Sequence, residues 1–227
     1  MTGNFEVSAD AVRLVDTIAK GGIALFPVDV GYAIVGNKEA AIAKIFAAKQ
    51  RSFAKQCGMF SNWDMFKAIA KVDAREHDMV ESIIKRHNLP LSVVVPFDGD
   101  HAHFKDLTPL TRERSSRGDT IDMLLNAGAL HDAIAALSFT RGLPVLGSSA
   151  NQSLSGSKYR LADVEPQVRA AADLIIDYGT TKYNHPEGMG STIIELPSGK
   201  PIRKGIVYDA ICDILRDEFK IDPRTLG

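Results

Sequence analysis

Sulfur chemistry has little to work with in this chain: among 227 residues only Cys57 and Cys212 are cysteines. They lie far apart, so neither a metal-ligand pair nor a disulfide framework can be read from them. A reduced, cytoplasmic setting with two structural thiols is expected. An excess of one charge is also lacking, since 27 basic against 28 acidic residues leave a net charge of −1. That excludes a bulk positive field drawing in nucleic acid or an anionic membrane, though not a local basic patch. No apolar run approaches the roughly 20 residues that span a bilayer. The opening MTGNFEVSAD has no basic flank followed by an apolar stretch, so no secretory signal is expected. Two nucleotide signatures are missing as well, a Walker A loop and a G-x-G-x-x-G after a strand, which removes support for the P-loop and dinucleotide folds.

What is present is a globular composition, 45% hydrophobic and 24% charged, long enough for one large domain or two small ones. A helix is expected over ADAVRLVDTIAK, residues 9–20, capped by Ser8 and closed by Gly21 and Gly22. Two buried strands, IALFP (23–27) and YAIVG (32–36), flank a polar corner at Asp29. Asn37 is expected to cap a helix over 38–50, in which Ile42, Ile45, Phe46 and Lys49 share a core-facing stripe. Capping-box spacing marks two more helix starts, Ser61 with Asp64 and Asp73 with Glu76, the second helix running to about Asn88 before Pro90.

Later strands are expected at LSVVVPF (91–97), TIDMLLN (120–126), PVLGS (144–148), DLIIDYG (173–179) and STIIEL (191–196). Helices are expected at 130–142, 164–172 and 208–219. Helices and strands alternate, and several strands are apolar without a period of two, which predicts an α/β or mixed domain with at least one covered sheet face. Residues 99–119 are the least regular segment and are expected to form an excursion or mobile loop.

Several short stretches could carry chemistry. FDGDHAHF brings Asp98, Asp100, His101 and His103 together, but nothing fixes a metal geometry and a solvated loop is the simpler reading. AAKQRSFAKQ offers Lys49, Arg51 and Lys55, three cations suited to phosphate or carboxylate, or to complementing a helix C-terminus. GSSANQSLSG can form a phosphate-cradling nest or ordinary turns. GMGSTIIEL and KPIRKG add Ser191 and Thr192 entering a strand, and Arg203 just after another.

Taken in order, these pieces resemble the YrdC family, the threonylcarbamoyl-AMP synthases of tRNA modification, over residues 8–208, with 209–227 as a C-terminal helical extension. The family's P-T-D-T-x-Y-G-L is matched by Pro27, Asp29 and Tyr32, and its K-x-R-P-x-x-K-P by Lys49, Arg51 and Lys55. Its S-A-N-x-S-G is matched by Ser149, Ala150 and Asn151, with Ser155 and Gly156 two residues late. Its S-T-V strand corresponds to Ser191, Thr192 and Ile193, and its R-x-G to Arg203 and Gly205.

The resemblance implies a single-domain, twisted mixed α/β sheet with flanking helices, YrdC/RibB-like, around a concave basic-lined cavity. It implies ATP, bicarbonate and L-threonine as substrates, threonylcarbamoyl-adenylate and pyrophosphate as products, and Mg²⁺ accompanying ATP without a metal site on the protein. By the motif matches, Lys49 and Arg51 would be catalytic. Ser149, Asn151, Ser191 and Arg203 would hold the nucleotide, and Val28, Tyr32 and Lys55 the substrate.

The chain departs from the pattern at informative places. Val28 and Val30 replace both threonines of P-T-D-T, keeping the shape and deleting two hydroxyls. Ser52 and Gln56 replace prolines, and Ala33 a glycine. Where the family has an arginine strand facing the triphosphate, this chain has Asp122, which would repel that anion unless a metal intervened. Arg112, Arg114 or Arg117 is a candidate substitute. Two readings follow: a divergent YrdC-type enzyme acting on threonine or another amine, or a non-catalytic YrdC-fold protein binding a nucleotide, tRNA or double-stranded RNA. An unrelated α/β enzyme with coincidental motifs is the third. Asp29 is expected to brace backbone amides rather than to form a cavity wall.

Overall fold

The computed structural model describes residues 6–52 and 55–226. Helix α1 (Val7–Ala19) opens the described chain and buries Ala11, Leu14, Val15 and Ile18 along one stripe. It starts two residues before the expected boundary, with Glu6 at the N-cap and no side-chain cap, so Ser8 lies inside the first turn instead of capping it. Strands β1 (Ala24–Val28) and β2 (Gly31–Gly36) then pair antiparallel through Val28 and Gly31. Asp29 and Val30 are left as a two-residue hairpin turn, and Gly31 takes φ +135°, a backbone state that favours glycine.

Helix α2 (Glu39–Ala48) follows, with Lys38 at the N-cap. Asn37 does not cap it: its side chain donates to the Pro144 carbonyl (3.1 Å) and ties the helix entry to the sheet. Strand β3 (Gly58–Phe60) is only three residues long and leaves no period in the sequence. Helix α3 (Trp63–Ile69) is capped by Asn62, which accepts from the Met65 amide (2.9 Å), rather than by the buried Ser61 one residue earlier. The capping box of α4 (Ala74–Glu81) forms as expected: Asp73 accepts from the Glu76 amide (2.8 Å) and Glu76 from the Asp73 amide (2.7 Å). A π-helical turn over Ser82–Arg86 extends it towards β4 (Leu91–Pro96).

Residues 99–119 hold more structure than an irregular loop. A 3₁₀ turn at Ala102–Phe104 precedes helix α5 (Pro109–Ser115), capped by Thr108 and started by Pro109, and the short strand β5 (Ser116–Arg117). Strand β6 (Thr120–Leu125) and helix α6 (Ala129–Arg141) come next, and α6 ends on Gly142 at φ +59°, as the sequence predicts. The remaining elements are β7 (Leu146–Ser149), α7 (Pro166–Ala170), β8 (Leu174–Ile175), β9 (Ile193–Glu195), β10 (Pro201–Arg203) and α8 (Tyr208–Phe219). Only two residues of the expected strand 173–179 pair as β8.

All ten strands join one mixed sheet in the order β10-β9-β4-β6-β3-β7-β2-β1-β8, with β5 hung on β6. The pairs β1–β8, β3–β6 and β4–β9 are parallel and the others antiparallel. Along β6 the alternation is clean: Ile121, Met123 and Leu125 are buried, while Thr120, Asp122 and Leu124 face the half-open side. The larger core packs Ile121, Met123 and Leu125 with α2, α3 and α4, and takes in Ile211, Ile214, Leu215 and Phe219 of α8. A second core joins α1 and α6 to the other face of the hairpin through Phe26, Val28, Val30, Ala33 and Phe60. Both cysteines are free and buried. No helix among the described residues is long and apolar enough to cross a membrane.

Candidate functional site

A hollow in the sheet makes the site. Three neighbouring strands carry almost no side chain on one face: Ala33 on β2, Gly147 on β7 and Gly58 on β3, with Gly58 and Gly147 directly paired. Missing side chains leave a cavity of about 230 Å³, walled by Val28, Val30 and Phe60 at the hairpin end and by Ser92, Ser191 and Arg203 at the other. At Gly147 there is no alternative to glycine, because a Cβ would lie 2.2 Å from the Ile34 carbonyl oxygen.

Two guanidiniums line this cavity. Arg203, the last residue of β10, donates through Nε to the Ser191 carbonyl (2.9 Å) and through one Nη to Ser191 Oγ (2.9 Å). Ser191 Oγ in turn meets Ser92 Oγ at 3.1 Å, so β10, β9 and β4 are knit together at that wall. Arg51 donates one Nη to the Gln56 carbonyl (2.6 Å) and lies 5.6 Å from the centroid of the Phe46 ring. Burial pulls both guanidiniums below the usual arginine range, and Asp122 partly offsets the shift for each. Arginine stays charged even so, which leaves two cations, half-buried Arg51 and more exposed Arg203, facing one space.

Asp122 lines the same cavity within electrostatic reach of both, at the place where the sequence offers an acid instead of an arginine. Its carboxyl is pushed up to about 6, chiefly by burial, with Arg203, Ser92 and Arg51 pulling the other way. Its Oδ1 is shielded and has no hydrogen-bond partner among the described residues.

Lys49 lies behind the cavity rather than in its lining. Only 1% exposed, it continues the buried stripe of α2, and its ammonium donates to the Ser149 carbonyl and to the Asn151 carbonyl (2.5 Å). Its own carbonyl accepts from the Ser153 amide (2.9 Å), and the Ala150 amide donates to the Tyr32 carbonyl (2.7 Å). The Ser149–Ser153 loop is thus shaped from below by Lys49 and from the side by β2. Burial, then Arg51, drives the Lys49 pKa down to about 7 against opposing pulls from Cys57 and Glu165.

Replacing Lys49 by methionine strands those two carbonyls and is expected to cost about 2–3 kcal/mol. The folded chain holds the Lys49 proton less tightly than the unfolded chain, whose lysine keeps its ordinary 10.5. Unfolded chains therefore bind more protons from about pH 7 upward, and this residue's contribution to stability rises with pH across the window. Urea melts of wild type and Lys49→Met at about pH 7 and about pH 10 should show the gap widening.

The other motif residues divide in two. Val28, Tyr32, Ser149 and Ser191 line the cavity with the arginines. Tyr32 is fixed by hydroxyl bonds to Asp177 and to the Gly179 carbonyl (2.9 Å), and burial and Asp177 raise its phenol pKa. Asn151 is buried outside the lining, its Oδ1 without a partner among the described residues, and Lys55 is exposed and outside the lining. Arg112 turns to the carbonyls of Gly99 and Phe104, and Arg117 to Gln56, so neither substitutes for an arginine on β6. Asp29 braces the hairpin, but through its backbone: its amide donates to the Ala127 carbonyl (2.7 Å), and its carbonyl accepts from the Tyr183 amide (2.8 Å). Its carboxylate instead pairs with Lys182 at 3.6 Å. No group of three or more His, Cys, Asp or Glu among the described residues is placed to hold a metal ion.

Residues that make the cavity and that motif reasoning missed are Gly58 and Gly147, whose signal was present only as isolated glycines near strands.

A family model described as telomere recombination, covering Sua5, YciO and YrdC, matches residues 16–205. No curated protein matches the chain. Among solved structures, P. abyssi Sua5 complexed with L-threonine is similar at 24% identity and TM-score 0.65, covering 88% of this chain and 54% of that one. E. coli YciO is similar at 18% identity and TM-score 0.66, covering 88% and 90%. Full-length HypF in its phosphate- and nucleotide-bound form is similar at 14% identity and TM-score 0.61, covering 88% and 28%. At these identities the likeness is one of fold, and the chain spans about half the length of the Sua5 chain it matches.

Proposed function

The chain belongs to the Sua5–YciO–YrdC family, and from that premise we propose that its cavity makes an activated carbamate. A substrate amine condenses with bicarbonate, losing water and forming a carbamate. A carbamate oxygen then attacks the α-phosphorus of ATP, giving the carbamoyl-adenylate and releasing pyrophosphate. The observation that carries this reading is the pair of guanidiniums, half-buried Arg51 and more exposed Arg203, lining one cavity. Negative charge gathers on the carboxylated amine and on the α-phosphate as the new bond forms, and preorganised cations lining the cavity stabilise it. Holding both reactants in one hollow removes much of the entropic barrier to their meeting.

At about 230 Å³ the cavity is smaller than the roughly 300–1,000 Å³ of usual ligand pockets. An amine-sized substrate fits within it, and a nucleotide extends over the rim at Ser149 and Ser157. Structures of this fold have been solved with L-threonine, in P. abyssi Sua5, and with nucleotide, in HypF. Val28, Val30 and Phe60 present no hydroxyl or amide at the hairpin end, which favours an apolar amine side chain over a hydroxylated one.

The lining does not suit a protein-held Mg²⁺, since its carboxylate, Asp122, lies within electrostatic reach of two guanidiniums. Mg²⁺ belongs with the ATP phosphates. Screening the common amino acids with ATP and bicarbonate for pyrophosphate release tests the proposal. Release that needs both an amine and bicarbonate is the expected result, and release with no amine of any kind would sink it.

A further inference from the structure

Asp122, the carboxylate in the cavity lining, takes no part in forming the adenylate. Asp122 projects from β6 opposite Val94 of β4, and a Cβ at Gly58 on β3 would come within 3.3 Å of its Oδ2. Glycine at that position leaves room for the carboxylate. The two neighbouring cations do not neutralise it by direct bonding. Arg203 gives Nε and one Nη to Ser191, Arg51 gives one Nη to the Gln56 carbonyl, and Asp122 Oδ1 remains without a partner among the described residues. A carboxylate so held is under-solvated, and it gains from a ligand that brings an N–H to it. The same carboxylate opposes any anionic oxygen entering between the arginines.

We infer that Asp122 is a specificity-determining residue of the cavity: it takes the N–H of the substrate's amine and keeps the β- and γ-phosphates from settling between Arg51 and Arg203, leaving the α-phosphate within reach of the arginines. This rests on the cavity being the substrate site. It places the amine over β6 and confines the β- and γ-phosphates to the Ser149 side. The charge arrangement fits that division, because two cations and one anion on the floor complement an amino acid's carboxylate and amine together. A bare polyphosphate would meet the acid first.

The experiment is a calorimetric titration of wild type, Asp122→Asn and Asp122→Ser with inorganic pyrophosphate and with each common amino acid, all without metal. The serine variant guards against a carboxamide that seats itself on the arginines. Both variants are expected to bind pyrophosphate at least ten-fold tighter than wild type, and to bind the amino acid that wild type prefers at least ten-fold more weakly. Unchanged pyrophosphate affinity overturns the inference, as does unchanged amino-acid affinity or a wild type that binds no amino acid. Pyrophosphate release is followed in parallel. An exchange of affinities without turnover in wild type would sink the synthase reading alone, and turnover without the exchange would sink the role of Asp122 alone.

Discussion

Arg203→Ala is expected to lower bicarbonate-dependent pyrophosphate release by about 10²–10³-fold. The effect is large because the guanidinium has two tasks. It supplies a cation to the cavity, and it ties β10 to the segment leading into β9 through the Ser191 carbonyl and hydroxyl. A lysine at this position restores charge but not the planar fork that reaches both Ser191 oxygens, so Arg203→Lys should recover only part of the rate. Circular dichroism and a urea melt of each variant separate the lost charge from a disturbed edge strand, and steady-state kinetics give the rate. Rates within a few-fold of wild type for a folded Arg203→Ala would remove Arg203 from the chemistry.

Gly147→Ala is expected to lower stability by about 3 kcal/mol or more. Its Cβ would sit 2.2 Å from the Ile34 carbonyl oxygen, 2.8 Å from Val35 Cγ1 and 2.9 Å from Val35 Cα. Two of those three neighbours are backbone atoms of the adjoining strand, so relief requires β7 and β2 to move apart. That pairing lies in the middle of the sheet and links the hairpin to β3 and the larger core. Gly118→Ala is the matched control. Its added Cβ meets nothing within 4 Å, and only the strain of φ +61° opposes it, a cost of about 1 kcal/mol. Chemical denaturation of the two variants should rank them in that order. A loss below about 1 kcal/mol at Gly147 would mean that the sheet centre yields far more easily than its packing implies.

Much of the fold was legible because its signals are local. The alternation of helices and apolar strands, the capping box of α4 and the glycine stop of α6 each follow from a few adjacent residues, and all of them form. Caps failed where two polar residues compete at a boundary. Asn62 rather than Ser61 caps α3, and Asn37 is drawn to the Pro144 carbonyl by a tertiary contact that no window of sequence contains. The hairpin corner was visible as Pro27, Asp29 and Gly31, yet its brace is the Asp29 backbone, which any residue possesses.

The site was legible in its order of motifs and illegible in its depth. Periodicity placed Lys49 on the buried stripe of α2, and it is buried. What periodicity does not contain is the destination of the ammonium, two carbonyls about a hundred residues further along the chain. The hollow depends on glycines that come together only when β3 pairs with β7, and β3 is too short to announce itself. Asp122 stood out as an acid in an expected arginine position. Its setting within reach of Arg51 and Arg203 needed three strands and a loop to be brought together.

The most direct measurement is pyrophosphate release by the 227-residue chain supplied with ATP, Mg²⁺, bicarbonate and a panel of amino acids that includes L-threonine. The account predicts release that disappears when either bicarbonate or the amine is left out, and that is strongest with an amine whose side chain is apolar. Pyrophosphate released equally without bicarbonate, or released with none of the amines while ATP still binds, would contradict it.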